Sequence, residues 1–197
     1  MSSSKALVFA LVLCALLAVP LTGAARKRAA CTISGTAGDD RLLGTSGPDV
    51  ICGKGGRDRI YGDQGADILR GGSGADTLET GKGADSAFGG RDDDGIFGEG
   101  RPGDVLRGGQ GDDSLYSGRA SDRLVGGPGR DFLAALSPRG AGGRDVLIGG
   151  GGAETCLWSV DGSPGDTLRG GPGRDVFGAD AGDRVHAVEI RHRCFTP

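Results

Sequence analysis

Residues 53–79 read GKGGRDRIY-GDQGADILR-GGSGADTLE, three consecutive units of nine in which Asp58, Asp67 and Asp76 are each followed two places later by an apolar residue, Ile60, Leu69 and Leu78. Working outward in both directions, the same acid, any residue, apolar pattern recurs. The acids are Asp40, Asp49, Asp58, Asp67, Asp76, Asp85, Asp94, Asp104, Asp113, Asp122, Asp131, Asp145, Glu154, Asp166, Asp175 and Asp183. Their partners are Leu42, Ile51, Ile60, Leu69, Leu78, Ala87, Ile96, Leu106, Leu115, Leu124, Leu133, Leu147, Cys156, Leu168, Phe177 and Val185. Only 37% of the chain is hydrophobic, so an unbroken run of apolar partners is a structural period and not composition.

With the acid as position 6, glycine fills position 1 in twelve of the sixteen units and position 4 in eleven. Glycine serves where backbone turns with positive φ or where carbonyl groups crowd together. Strand character is confined to the last three residues of each unit. Each unit is therefore a tight turn and a short strand whose apolar residue points inward. Two units make one coil of about eighteen residues, and stacked coils give two parallel sheets around a thin apolar core. The expected fold is all-β, a right-handed parallel β-roll (β-solenoid) of about sixteen nonapeptide units, two per coil, over residues 35–186.

The pattern G-G-x-G-x-D-x-U-x resembles the calcium-binding nonapeptide of the RTX, or haemolysin-type, repeat family. In that family the glycine-rich turn and its aspartate bind Ca2+ between successive coils. The resemblance implies metal-ligating carboxylates at Asp40, Asp49, Asp58, Asp67, Asp76, Asp85, Asp113 and Asp131. It implies turn backbone at Gly35, Gly38, Gly44, Gly47, Gly53, Gly56, Gly62, Gly65, Gly71 and Gly74. The match is strongest from Gly35 to Leu78. Elsewhere Asp92, Pro102, Ala120, Pro164 and Ala181 replace the position 4 glycine, Thr80, Glu99, Ser117 and Asp161 replace the position 1 glycine, and Glu154 replaces the aspartate. Those units are expected to stack while binding calcium poorly.

The chemistry of the repeat points the same way. Aspartates eighteen residues apart fall on one edge of adjacent coils, about 4.8 Å apart, where two carboxylates repel by roughly 1 kcal/mol in water and more at a protein surface. A hard cation with six to eight oxygen ligands relieves this, and a flexible carbonyl cage selects calcium over magnesium. Few apolar side chains oppose the entropy of so many glycines, so folding coupled to calcium is expected. Arg57, Arg130, Arg144 and Arg174 precede position 6 aspartates. They either point outward or act as counter-charges in place of metal.

Spacing departs from nine at several places, most widely between Asp131 and Asp145 and between Glu154 and Asp166. Loops are expected near 134–143, with Ala134 to Arg139 at their heart, and near 158–163, with the lone Trp158 as a local packing plug. Residues 1–25 read as a signal peptide: Lys5, the apolar run Ala6 to Leu21, and small residues at Thr22 to Ala25. A cap segment, 26–34, and a tail, 187–197, flank the roll. Secretion into the extracellular space follows, and no second apolar run suggests a membrane span. Four cysteines remain after processing. An even count in an exported chain favours two disulfides, and spacing argues for Cys31 with Cys52 and Cys156 with Cys194.

Enzyme classes find little support. There is no H-E-x-x-H, G-x-S-x-G or EF-hand pattern. Gly98 to Gly103 matches G-x-G-x-x-G but leads into strand-like Val105-Leu106, not a helix. His186 and His192 lie in a solvated tail. Arg26, Lys27 and Arg28 form a short solvated cluster, and aromatic residues at 5% do not interleave with basic ones, so no nucleic-acid surface is expected. A calcium-binding structural or surface module is the leading reading. An adhesin or matrix protein that binds a polysaccharide or cell surface, with calcium as support, is the alternative, and a secreted hydrolase accessory is more distant. Outward positions 7 and 9 show no repeated face.

Overall fold

The computed structural model describes residues 30–99, 103–136, 143–152, 155–160 and 162–186. Among them are seventeen short strands and no helix, hence no helix able to cross a membrane. Odd- and even-numbered strands segregate into two sheets. Sheet A contains β1 (Ile33–Ser34), β3 (Val50–Gly55), β5 (Ile68–Ser73), β7 (Ser86–Arg91), β9 (Val105–Gln110), β11 (Arg123–Pro128), β13 (Val146–Gly151), β15 (Thr167–Arg169) and β17 (Arg184–His186). Sheet B contains β2 (Arg41–Leu43), β4 (Arg59–Tyr61), β6 (Thr77–Glu79), β8 (Gly95–Phe97), β10 (Ser114–Ser117), β12 (Phe132–Ala135), β14 (Cys156–Ser159) and β16 (Val176–Ala179). Every pairing is parallel and joins neighbouring coils, so the chain is a β-solenoid of about eight turns with two units per coil.

The period of two along each strand decides what is buried. Ile51, Ile60, Leu69, Leu78, Ala87, Ile96, Leu106, Leu115, Leu124, Leu133, Leu147 and Leu168 point inward and are almost wholly buried. They stack in register, for example Ile60 on Leu78 and Leu115 on Leu133. Leu42, Phe177 and Val185, near the ends of the stack, are partly buried against this core.

One unit differs from its sequence reading. Phe132 pairs with Cys156 and Leu133 with Leu157, so Leu157 fills the core while Cys156 faces outward. Thr155, not Glu154, then stands in the acid position and is buried. Shifting by one residue buries a leucine in place of a smaller cysteine, which the thin core rewards. Glu154 itself lies outside the described residues.

The expected loops also move. Ala134 and Ala135 belong to β12 and are buried, and Trp158 and Ser159 belong to β14. The extra residues follow these strands, with 137–142 and 161 outside the described residues. Trp158 pairs with Gly178 of the next coil, where its ring occupies the space a side chain would need. It packs there as part of the sheet.

Cys31 and Cys52 are disulfide-bonded, with Cα atoms 5.9 Å apart. Cys156 is disulfide-bonded too, while Cys194 lies outside the described residues, as do the signal segment, most of the cap and the tail. Sheet pairing already reaches Ile33 and Ser34, within the segment read as a cap.

Candidate metal centres

Each coil has two turns. At the first edge the chain passes from sheet A into sheet B, and at the second from sheet B back into sheet A. The position 6 acids form one file along each edge. On the first edge the main-chain N–H of each aspartate donates to Oδ1 of the next coil's: Asp40 to Asp58 at 2.8 Å, Asp58 to Asp76 at 2.8 Å, Asp76 to Asp94 at 2.9 Å, Asp94 to Asp113 at 2.9 Å and Asp113 to Asp131 at 3.1 Å. The second file runs from Asp49 through Asp67, Asp85, Asp104, Asp122, Asp145 and Asp166 to Asp183 by the same bond. These charge-assisted bonds set the register of the stack.

The other carboxylate oxygen, Oδ2, is where units differ. In Asp58, Asp67, Asp76, Asp85, Asp94, Asp113 and Asp131 it is buried with no hydrogen-bond partner. A buried, charged acceptor without a partner is costly. In Asp40 and Asp49 it is already closed: Thr36 donates its N–H at 2.6 Å and its hydroxyl at 2.9 Å to Asp40, and Thr45 does so at 2.7 and 2.8 Å to Asp49. In Asp104 it accepts from the Thr80 hydroxyl at 3.0 Å, and in Asp166 from the Ser159 hydroxyl.

The two glycines of the repeat have separate physical causes. Position 4 takes a left-handed backbone from Gly56 onward in many units, with φ of +92° at Gly56 and +103° at Gly74, and Asp92 adopts +72° in the same place, whereas Gly38 and Gly47 do not. Position 1 has no such φ but no room either: a Cβ on Gly53 or Gly71 would stand 2.7 Å from the next coil's Gly71 or Gly89 carbonyl oxygen, and closer still to Oδ2 of Asp58 or Asp76. Carboxylate oxygen and glycine carbonyls thus converge on one small space. Position 2 is left-handed as well, at Lys54 (+87°) and Asp63 (+75°), which the sequence pattern did not mark.

Electrostatics sharpen the picture. Burial raises the carboxyl groups of Asp58, Asp67, Asp85 and Asp122 above their usual range, and the coil-to-coil N–H bond only partly offsets it. Burial pushes Asp76 and Asp131 up to about 6, Asp104 and Asp113 to about 7 and Asp94 to about 8, with neighbouring aspartates adding to the rise in several of them. Asp49 moves the opposite way, held low by the Thr45 bonds.

None of the four arginines that precede position 6 aspartates is buried beside these oxygens. Arg57, Arg130, Arg144 and Arg174 are exposed, and Arg130 pairs with exposed Asp112 at 3.0 Å. Among the described residues no three Asp, Glu, His or Cys side chains converge on one point. A bound cation would therefore be held by one or two carboxylates together with main-chain carbonyls. That donor set, all oxygen and partly backbone, suits calcium.

Of the carboxylates read from the sequence, Asp58, Asp67, Asp76, Asp85, Asp113 and Asp131 keep an open oxygen, and Asp40 and Asp49 do not. Asp94, passed over because Asp92 replaces its position 4 glycine, has the same geometry and the largest upward pKa shift that carries a value. The structure also assigns position 1 afresh. Gly98, not Glu99, continues the column of Gly62 and Thr80. Ala135, Ser159 and Ala179 take the places read as Gly140, Asp161 and Gly178, since Ser117 pairs with Ala135 and Ser159 with Ala179. Insertions hid this alignment.

The outward face of sheet B gathers Tyr61, Phe97, Tyr116, Phe132 and Trp158. The Phe97 and Tyr116 rings stack at 5.2 Å, and Phe132 lies 5.5 Å from Tyr116. Tyr61, Phe97 and Tyr116 each stand three residues after their acid, whereas Trp158 joins them only because Thr155, and not Glu154, holds the acid position.

A family model for the RTX calcium-binding nonapeptide repeat matches residues 34–69, 70–100, 103–133, 139–156 and 162–185, most of the chain. No curated protein matches it.

Proposed function

The chain belongs to the RTX calcium-binding nonapeptide repeat family, and from that premise we propose that it is a secreted structural or surface module whose folding is coupled to calcium. The observation that carries this is the row of buried aspartate oxygens to which no protein group donates a hydrogen bond. Asp58, Asp76, Asp94, Asp113 and Asp131 would hold the metal, with carbonyls of the glycine turns completing the shell. Calcium supplies a divalent charge that tolerates six to eight oxygens at irregular angles. The aspartates orient the site: Oδ1 is fixed by the neighbouring coil's N–H, which leaves Oδ2 aimed at the turn. The position 1 glycines keep that space free of side chains. The family's repeats are typical of secreted proteins, in accord with the signal segment read at residues 1–25. Only a calcium-binding repeat domain is detected, and no catalytic domain.

Circular dichroism tests the proposal. Chelator-treated protein should be largely disordered and gain β signal as calcium rises through about 0.1 to 1 mM, the range of extracellular modules. A spectrum unchanged across that titration refutes it.

The aromatic row favours a second reading, an adhesin or matrix protein that uses calcium as support. Stacked rings on a flat sheet suit the apolar faces of sugars. A cleft of about 420 Å³ beside them is lined by Leu43, Tyr61, Asp63, Glu79, Lys82 and Glu99, which adds hydrogen-bonding groups. Polysaccharide binding that survives Tyr116→Ala and Phe97→Ala unchanged excludes this face.

A further inference from the structure

We propose that this roll is one-sided over its later coils: calcium fills the file Asp58, Asp76, Asp94, Asp113 and Asp131 along the first edge, while on the second edge Asp104, Asp166 and Asp183 are closed by the protein's own donors and hold no ion. The inference rests on the calcium reading above and concerns where the metal goes.

Three observations separate the edges. The first is space at position 1. On the first edge the column is Gly35, Gly53, Gly71, Gly89, Gly108 and Gly126, where an added Cβ would collide with the unit's own aspartate Oδ2. On the second edge, after Gly62, only Gly98 keeps the glycine, and Thr80, Ser117, Ala135, Ser159 and Ala179 fill the other places in the column. At those five positions side-chain atoms stand where glycine on the other edge has none.

The second is hydrogen bonding. First-edge Oδ2 atoms lack partners in five consecutive coils, and each of those aspartates is at most 3% exposed. On the second edge Thr80 donates to Asp104, Ser159 to Asp166, and the Asp180 N–H to Asp183 at 2.8 Å. A hydroxyl satisfies one carboxylate oxygen without bringing charge, and it removes the acceptor that a cation would use.

The third is spacing. First-edge turns keep nine residues between acids from Asp104 to Asp113, Asp122 to Asp131 and Asp166 to Asp175. Second-edge turns lengthen or shorten from Asp94 to Asp104, Asp131 to Asp145 and Asp175 to Asp183. A cage of main-chain carbonyls requires one turn geometry repeated from coil to coil, and the first edge repeats it from Asp40 to Asp131, before the ten-residue step from Asp145 to Thr155.

Native mass spectrometry of the folded protein in calcium, with isothermal titration, tests this on wild type, Asp113→Asn, Asp166→Asn and Thr80→Gly. Asp113→Asn should lose bound calcium and Asp166→Asn should keep the wild-type count. Thr80→Gly, which frees Asp104 Oδ2 and opens its surroundings, should hold at least as many ions as wild type. If Asp113→Asn does not fold, Asp94→Asn probes the same file, and the wild-type count decides independently. A count near one ion per turn on both edges, or equal losses from Asp113→Asn and Asp166→Asn, overturns the proposal. Wild type that binds no calcium at all refutes instead the reading on which it rests.

Discussion

Replacing Gly71 with alanine tests the packing argument at its tightest point. The added Cβ would sit 2.7 Å from the Gly89 carbonyl oxygen and nearer still to Asp76 Oδ2, whereas ordinary contact begins at 3.4 Å. The Asp76 carboxylate must then retreat by about 1 Å. Its Oδ1 accepts the Asp58 N–H at 2.8 Å, so the retreat breaks a charge-assisted bond between coils. Overpacking costs about 1–3 kcal/mol and a hydrogen bond to a charged group about 1.5–3 kcal/mol. We expect Gly71→Ala to lose about 3 to 6 kcal/mol in saturating calcium and to bind calcium more weakly. Gly151 is the control, since nothing lies within 4 Å of its Cβ position and its φ is ordinary. Gly151→Ala should stay within about 1 kcal/mol of wild type, if anything more stable. Urea unfolding followed by circular dichroism, paired with a calcium titration, measures both. Equal effects from the two substitutions would refute the claim that position 1 is glycine for want of space.

Further outcomes follow from burial. In the calcium-free protein the folded-state carboxyl groups of Asp76, Asp94, Asp104, Asp113 and Asp131 titrate between about 6 and about 8, above about 3.9 for an unfolded chain. Raised values favour the protonated fold, so stability is fullest at low pH and is lost as pH climbs through that window. Without calcium the β signal should therefore be stronger near pH 5 than at pH 8, and a flat pH profile contradicts the burial of these groups. Leu115, wholly buried, should cost about 2–5 kcal/mol as Leu115→Ala, whereas Leu43, 58% exposed, should shift the urea midpoint little as Leu43→Ala.

Much of the fold was legible because a strand period of two inside a repeat of nine leaves little freedom. Once Leu69 and Leu78 face inward, Asp67 and Asp76 must stand at the turns. What failed was counting across insertions. Between Asp145 and Cys156 the nearest acid, Glu154, marked the wrong register, and the larger apolar surface of Leu157 decided the pairing. Likewise Glu99, Gly140 and Asp161 were aligned by distance from the following acid, when the preceding strand holds Gly98, Ala135 and Ser159 in their column. The left-handed backbone at Lys54 and Asp63 had no sequence marker, since neither residue is glycine. Closure of Asp40 and Asp49 by threonines was missed because the motif treats position 2 as free, and nothing in the pattern separates Thr36 from Gly72.

The tryptophan at position 158 gives the molecule a built-in optical marker. It is the only one in the chain, and its ring lies against Gly178 of the following coil. Of the two tyrosines, Tyr61 stands in β4 near the opposite end of the rod and Tyr116 in β10, two strands before Trp158, beside Arg41 and Phe97 respectively. Emission excited at the red edge of the absorption band therefore reports the docking of the last coils alone. Excitation at shorter wavelength adds the earlier ones, so the direction in which the stack assembles can be followed without attaching a dye.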